Sequence, residues 1–159
     1  MKIIAIALLF ITSVSLKAQL VGDKETVLFS FKIKSGKQVV FCAGPENSYM
    51  VYRFGTDKNT ELEYPAALDD SSWKKFTYSF YLRGGGTKNE GEDLNYISFE
   101  NGGYRYKIFS EYYAHGDISQ TGIIIEGSDG SEKSINALKS SIKGTLTDFR
   151  ENNKINKEQ

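Results

Sequence analysis

The sequence predicts an all-β protein, an antiparallel sandwich or barrel of about eight strands with a short C-terminal helix. Three observations predict it. Apolar and polar residues alternate with a period of two through much of the chain, the pattern of a strand with one buried face. Glycine-rich turn signals interrupt that alternation roughly every ten residues. The composition also suits strands, with 10 Tyr, 10 Phe and 15 Gly but only 2 Pro among 159 residues, because aromatic side chains fit pleated, half-buried surfaces. With 40% hydrophobic residues the chain can bury one modest core, so a single β domain is expected over 19–150.

Each element follows from local pattern. Val27, Phe29, Phe31 and Ile33 sit two apart, with Ser30, Lys32 and Lys34 between them, which makes a half-buried first strand. Ser35-Gly36 turns the chain, and Gln38 to Ala43 (QVVFCA) is apolar on both faces, as expected of a central strand. After Gly44-Pro45-Glu46-Asn47, a third strand runs from Ser48 to Phe54. A short fourth, Thr60 to Tyr64, is stopped by Pro65. A connection with room for one helical turn leads to Lys75–Leu82, where Phe76, Tyr78, Phe80 and Leu82 alternate. Gly84-Gly85-Gly86 opens a polar loop to Asp93, read as a flexible connection that presents Arg83. Leu94–Glu100 and Tyr104–Tyr113 form a hairpin around Asn101-Gly102-Gly103, and Gly122–Glu126 (GIIIE) is the last strong strand.

The C-terminal stretch supports two readings. Ile135, Leu138, Ile142, Leu146 and Phe149 recur at helical spacing, with Gly144 as an unfavourable interruption. Alternatively, Ser131–Asn136 pairs with GIIIE across Ser128-Asp129-Gly130; both hold if a helix begins near Ala137. The charged residues 151–159 (ENNKINKEQ) are expected to form a disordered tail.

The N-terminus points to export. Met1-Lys2 is basic, Ile3 to Leu16 is largely apolar, and Ala18 offers a small residue at a cleavage point, so 1–18 reads as a signal peptide. The run is too short to span a bilayer as a helix, and no membrane span is expected in the mature chain. The whole chain carries 20 basic and 20 acidic residues. Removing Lys2 and Lys17 with the leader leaves 18 basic against 20 acidic, a net charge of −2. That balance argues against nucleic acid as a partner, since phosphate binding needs a basic excess.

One Cys and one His exclude a disulfide framework and a Cys/His zinc site, and no cofactor is implied. Cys42 lies in an apolar stretch and acts as a small core residue, with intermolecular pairing as a minor alternative; His115 lies in a separate loop. Two acidic groups, Asp57/Glu61/Glu63 and Glu90/Glu92/Asp93, lack the spacing of a calcium loop. They leave open a small glycan hydrolase in which two of Glu61, Glu63, Glu90, Glu92 and Asp93 act as acid and base. The aromatics are more informative. Alternation puts Tyr104 and Tyr106 on one face of the hairpin and Arg105 on the other, residue types enriched at binding hot spots. The expected binding residues are Arg83, Asn101, Gly102, Gly103, Tyr104, Arg105 and Tyr106.

The leader, the small β body, Tyr52-Arg53-Phe54-Gly55 and Gly102-Gly103-Tyr104-Arg105-Tyr106 together resemble bacterial envelope lysozyme inhibitors. The resemblance implies a small barrel or sandwich that inserts a loop with a Ser-Gly-x-x-Tyr type motif into the lysozyme cleft. Here Asn101 stands in place of the Ser, and the paired cysteines of those families are absent. The chain is also similar to small secreted proteins of Gram-negative bacteria. The leading expectation is therefore an exported, non-enzymatic binding module, periplasmic or extracellular, whose partner is a protein or a glycan. Its sharpest version inhibits a cell-wall hydrolase. The alternatives are the carboxylate-based glycan hydrolase and a structural or adhesive envelope component.

Overall fold

The computed structural model describes residues 19–158; the expected signal peptide lies outside the described residues. Eleven strands are described: β1 (Thr26–Lys32), β2 (Gln38–Ala43), β3 (Met50–Thr56), β4 (Asn59–Tyr64), β5 (Thr77–Arg83), β6 (Glu92–Asn101), β7 (Tyr104–Tyr113), β8 (Ile118–Gly127), β9 (Glu132–Asn136), β10 (Lys143–Gly144) and β11 (Asn156–Glu158). They form a five-stranded sheet, β10-β1-β2-β3-β4, and a six-stranded sheet, β11-β5-β6-β7-β8-β9. All neighbours are antiparallel except β11 and β5. The two sheets make an open sandwich, so of the two predicted architectures the barrel is excluded. Among the described residues no helix is long and apolar enough to cross a membrane.

The core lies between the sheets. Phe29, Phe31, Val39, Phe41, Met50 and Tyr52 face it from one side, and Tyr78, Ile97, Phe99, Ile108 and Ile123 from the other. Aromatic contacts tie the layers together: Tyr52 packs on Phe99 at 4.8 Å between ring centres, and Tyr64 stacks on Phe99 at 4.6 Å. Edge and offset geometries of this kind add to the area buried. Trp73, Phe76, Leu146, Phe149 and Ile155 come from the connections and join the same core.

β2 is apolar on both faces for a physical reason. Its inner residues, Val39 and Phe41, enter the main core, while Val40 and Cys42 form a second cluster with Val51 of β3 and Leu20. The segment 19–25 thus lies as a strap over the outer face of the five-stranded sheet. Arg53, 5% exposed, fixes it there. The guanidinium donates to the Leu20 carbonyl at 3.2 Å, to both Glu25 carboxylate oxygens at 2.5 and 2.9 Å, and to Glu63 at 2.6 Å. Glu25 also accepts from the Tyr49 hydroxyl at 2.8 Å and the Gly22 backbone N–H at 2.7 Å. Burial pushes the Glu25 carboxyl up, but the hydrogen bonds from Arg53, Gly22 and Tyr49 overcome it and hold it below the ordinary value.

Two expectations need correction at the C-terminus and one at the strand count. Residues 135–149 do not form one helix face. Ser131–Asn136 pairs with GIIIE as the rival reading requires, within the β8–β9 ladder that runs from Gly122 opposite Asn136 to Glu126 opposite Glu132. What remains of the helix is two 3-10 turns, Lys139–Ser141 and Leu146–Phe149. Gly144 decides the matter: it pairs with Phe29 at φ +74°, and a Cβ there would lie 2.1 Å from the Leu28 carbonyl oxygen. The helical spacing therefore joins residues with different destinations, Leu146 and Phe149 in the core and Leu138 in solvent. The tail expected to be disordered is built into the sandwich up to Glu158. Ile155 is 3% exposed, and β11 runs parallel to β5. Charge dominates that segment's composition, yet one buried isoleucine and a free strand edge are enough to dock it. The strand count exceeds eight because the alternative strand at Ser131–Asn136 forms as β9, and β10 and β11 are short pieces that periodicity does not resolve.

Candidate functional site

The hairpin predicted around Asn101-Gly102-Gly103 is present, with Asn101 opposite Tyr104 and Glu100 opposite Arg105. Gly102 and Gly103 form its two-residue tip, at φ +59° and +81°. Positive φ at both central residues is the turn that matches strand twist, and glycine adopts it without steric cost.

The alternation of the three side chains also holds, but they have different roles. Tyr106 is not at the surface: it is part-buried and stacks on Phe99 at 4.8 Å with the rings nearly parallel, extending the core. Tyr104, on the same face at the strand end, is 49% exposed and lies opposite Gly127 of β8. Arg105 points to the other face, between Glu100 of β6 and Glu126 of β8 in the cross-strand row. It forms no ion pair among the described residues. A strand-borne guanidinium flanked by two carboxylates and held by neither at ion-pair distance is available to a ligand.

Arg83 does not join this hairpin. Its partner in β6 is Glu92, at the opposite end from Asn101. Nine strand residues separate those ends, about 30 Å. Nor is Arg83 presented by a flexible loop. It donates to the Glu90 carbonyl at 2.8 Å and to the Glu92 carboxylate at 2.9 Å, which folds residues 84–91 back onto the strand end. The expected common surface of Arg83 with Tyr104 and Arg105 is therefore corrected: the binding residues fall into two separate ends of the sheet.

Two open grooves meet at the hairpin. One, about 440 Å³, is lined by Glu100, the 101–105 tip, Glu126, Gly127 and Ser128. The other, about 480 Å³, is lined by Tyr64, Lys74, Lys75, Thr77, Ser98, Phe99, Glu100, Arg105 and Glu158. Glu100 and Arg105 belong to both. Sequence reasoning missed the second groove, because its residues come from β4, β5, β6, β7, β11 and the 3-10 turn Asp70–Lys75. The Lys74-Lys75 doublet was its only local cue.

The acidic groups are drawn into ion pairs in two different sheets. Glu61 pairs with Lys37 at 2.7 Å and Glu63 with Arg53 at 2.6 Å on the five-stranded sheet. On the other sheet Glu92 pairs with Arg83 at 2.9 Å and Asp93 with Arg150. Cys42 is fully buried beneath the strap, where burial first and the nearby Glu25 charge second push its thiol up to about 12. His115 sits in the exposed β7–β8 turn, so the two do not form a pair.

At the far end of the six-stranded sheet, Phe80, Tyr81, Leu82, Tyr112 and Ile118 are 40–56% exposed. Register divides them between the two faces: Phe80, Leu82 and Tyr112 continue the face that carries Tyr78, whereas Tyr81 and Ile118 lie on the outer face. Compared with protein-family models, with curated proteins and with solved structures, the chain matches none.

Proposed function

We propose that this chain is an exported, non-enzymatic binding module, periplasmic or extracellular, that contacts a protein or glycan through the Asn101–Arg105 hairpin. Inhibition of a cell-wall hydrolase is the sharpest form of that reading. The observation that carries it is Arg105, exposed and in no ion pair among the described residues, beside an exposed Tyr104 next to a two-residue turn where two grooves meet. Arg and Tyr contribute most to binding when a partner desolvates them, and a strand-borne pair costs little ordering entropy. The leader-like residues 1–18 support export.

The test is direct. The purified protein is titrated into c-, g- and i-type lysozyme assays. Inhibition at micromolar protein, lost in Tyr104→Ala and Arg105→Ala with the fold intact by circular dichroism, supports the reading. No inhibition of any of the three sinks the inhibitor form.

A second reading, a structural or adhesive envelope component, is favoured by the exposed Phe80, Leu82 and Tyr112, which share one face at this end of the sheet. Light scattering that stays monomeric at high protein concentration, together with no surface attachment, would remove it.

A further inference from the structure

We infer that the groove between Tyr64, Lys74, Lys75 and Arg105 is a binding site for a saccharide chain that carries carboxylates. The inference rests on the binding-module reading and names the ligand class for one of its two grooves.

The lining is mixed in a way that restricts what fits. Lys74 and Lys75 leave the end of the 3-10 turn Asp70–Lys75 side by side in sequence, and both are exposed. Arg105 reaches the groove from β7. None of the three is in an ion pair among the described residues, whereas Lys37, Arg53, Arg83, Arg150 and Lys154 all are. Three unpaired cations converging on one concavity favour an anion there. Glu100 and Glu158 lie in the same lining. Their charge opposes a bare polyanion, but each can accept hydrogen bonds from ligand hydroxyls. Thr77 and Ser98, directly opposite each other across β5 and β6, add two hydroxyls, and Tyr64 adds a third.

An acidic peptide side chain would satisfy the cations and leave both carboxylates facing like charge. A neutral sugar would satisfy the carboxylates and hydroxyls and leave the cations unused. A sugar acid offers both functions on one ring, with carboxylate for Lys74, Lys75 and Arg105 and hydroxyl donors for Glu100 and Glu158. The open volume of about 480 Å³ is within the range of sites that hold small ligands.

Isothermal titration of the purified protein with a hexuronate tetramer, the matching neutral hexose tetramer and tetraglutamate tests this. The expected result is binding of the uronate alone, weakening as salt rises. The Lys74→Gln/Lys75→Gln variant should weaken it about tenfold. Lys34→Gln, in the exposed β1–β2 turn, removes a charge elsewhere and should leave it unchanged. Equal binding of tetraglutamate, binding of the neutral tetramer, an unaffected double variant, or no binding of any probe overturns the inference. Circular dichroism of the double variant guards against misfolding. The two readings fail separately. Charge-selective uronate binding without lysozyme inhibition keeps this inference and removes the inhibitor form, while inhibition without uronate binding does the reverse.

Discussion

The outer faces of the two sheets are built from the same alternating pattern and end in opposite states. On the five-stranded sheet Val40, Cys42, Val51 and Arg53 are sealed beneath the strap, with Leu20 2% exposed and Arg53 5%. On the six-stranded sheet the corresponding face is open. Tyr81 and Ile118 are 49% and 46% exposed, and Lys107 lies over the Tyr96 ring at 4.4 Å with no covering element among the described residues. Charge follows the same division. Arg53 is enclosed by two carboxylates and a carbonyl, whereas Arg105 stands between two carboxylates and bonds neither. An enclosed guanidinium contributes to the fold, because leaving its partners unpaired in the interior is costly. An open one contributes little to stability and is left for recognition.

The contrast can be broken most severely at Arg53. Replacing it with Ala leaves Glu25 buried without its cation, and a loss of about 3–5 kcal/mol is expected in urea denaturation. A loss under 1 kcal/mol would mean that the strap is not held by this pair. Leu20→Ala comes next, at about 2 kcal/mol. It should also make the Cys42 thiol reactive toward an aromatic disulfide reagent at neutral pH, where the intact protein reacts slowly because the thiol is buried and its pKa is near 12. Unchanged reactivity would show that the strap does not guard the thiol.

A pH titration gives a smaller effect. The folded-state pKa of Glu25 lies below its unfolded value of 4.5, so its contribution is fully present above pH 4.5 and is lost as pH falls through the folded value. Denaturation midpoints should therefore decline below pH 4.5, and Glu25→Gln should flatten that part of the decline. Arg105→Ala should have the least effect on stability, within about 0.5 kcal/mol. A larger loss would move Arg105 to the structural side of the comparison.

What the sequence made legible follows from range. Strands β1 to β8 and the Asn101-Gly102-Gly103 turn depend on neighbours in the chain, so a period of two and positive-φ glycines are enough to find them. Even there, a bulge between Val27 and Phe29 takes Val27, 37% exposed, out of the buried set its alternation predicts. Gly144 shows the limit: its role is contact with Leu28, more than a hundred residues away, and no local pattern carries that. Arg83 and Arg105 have similar local surroundings, strand ends beside glycines. They part only because their rows, at Glu92 and Glu100, are eight positions apart along β6. The second groove assembles from six elements, so its chemistry appears only after folding.

The parallel strand β11 has a practical consequence. Asn156–Glu158 cover the outer backbone of Thr77–Ser79 with a short, charged segment anchored by Ile155. An uncovered β5 would offer a row of free donors and acceptors to any other extended chain. These few residues act as an edge guard against sheet-to-sheet polymerisation. Trimming the chain before Ile155, or fusing a partner that pulls this segment away, should make the sandwich aggregate through β5.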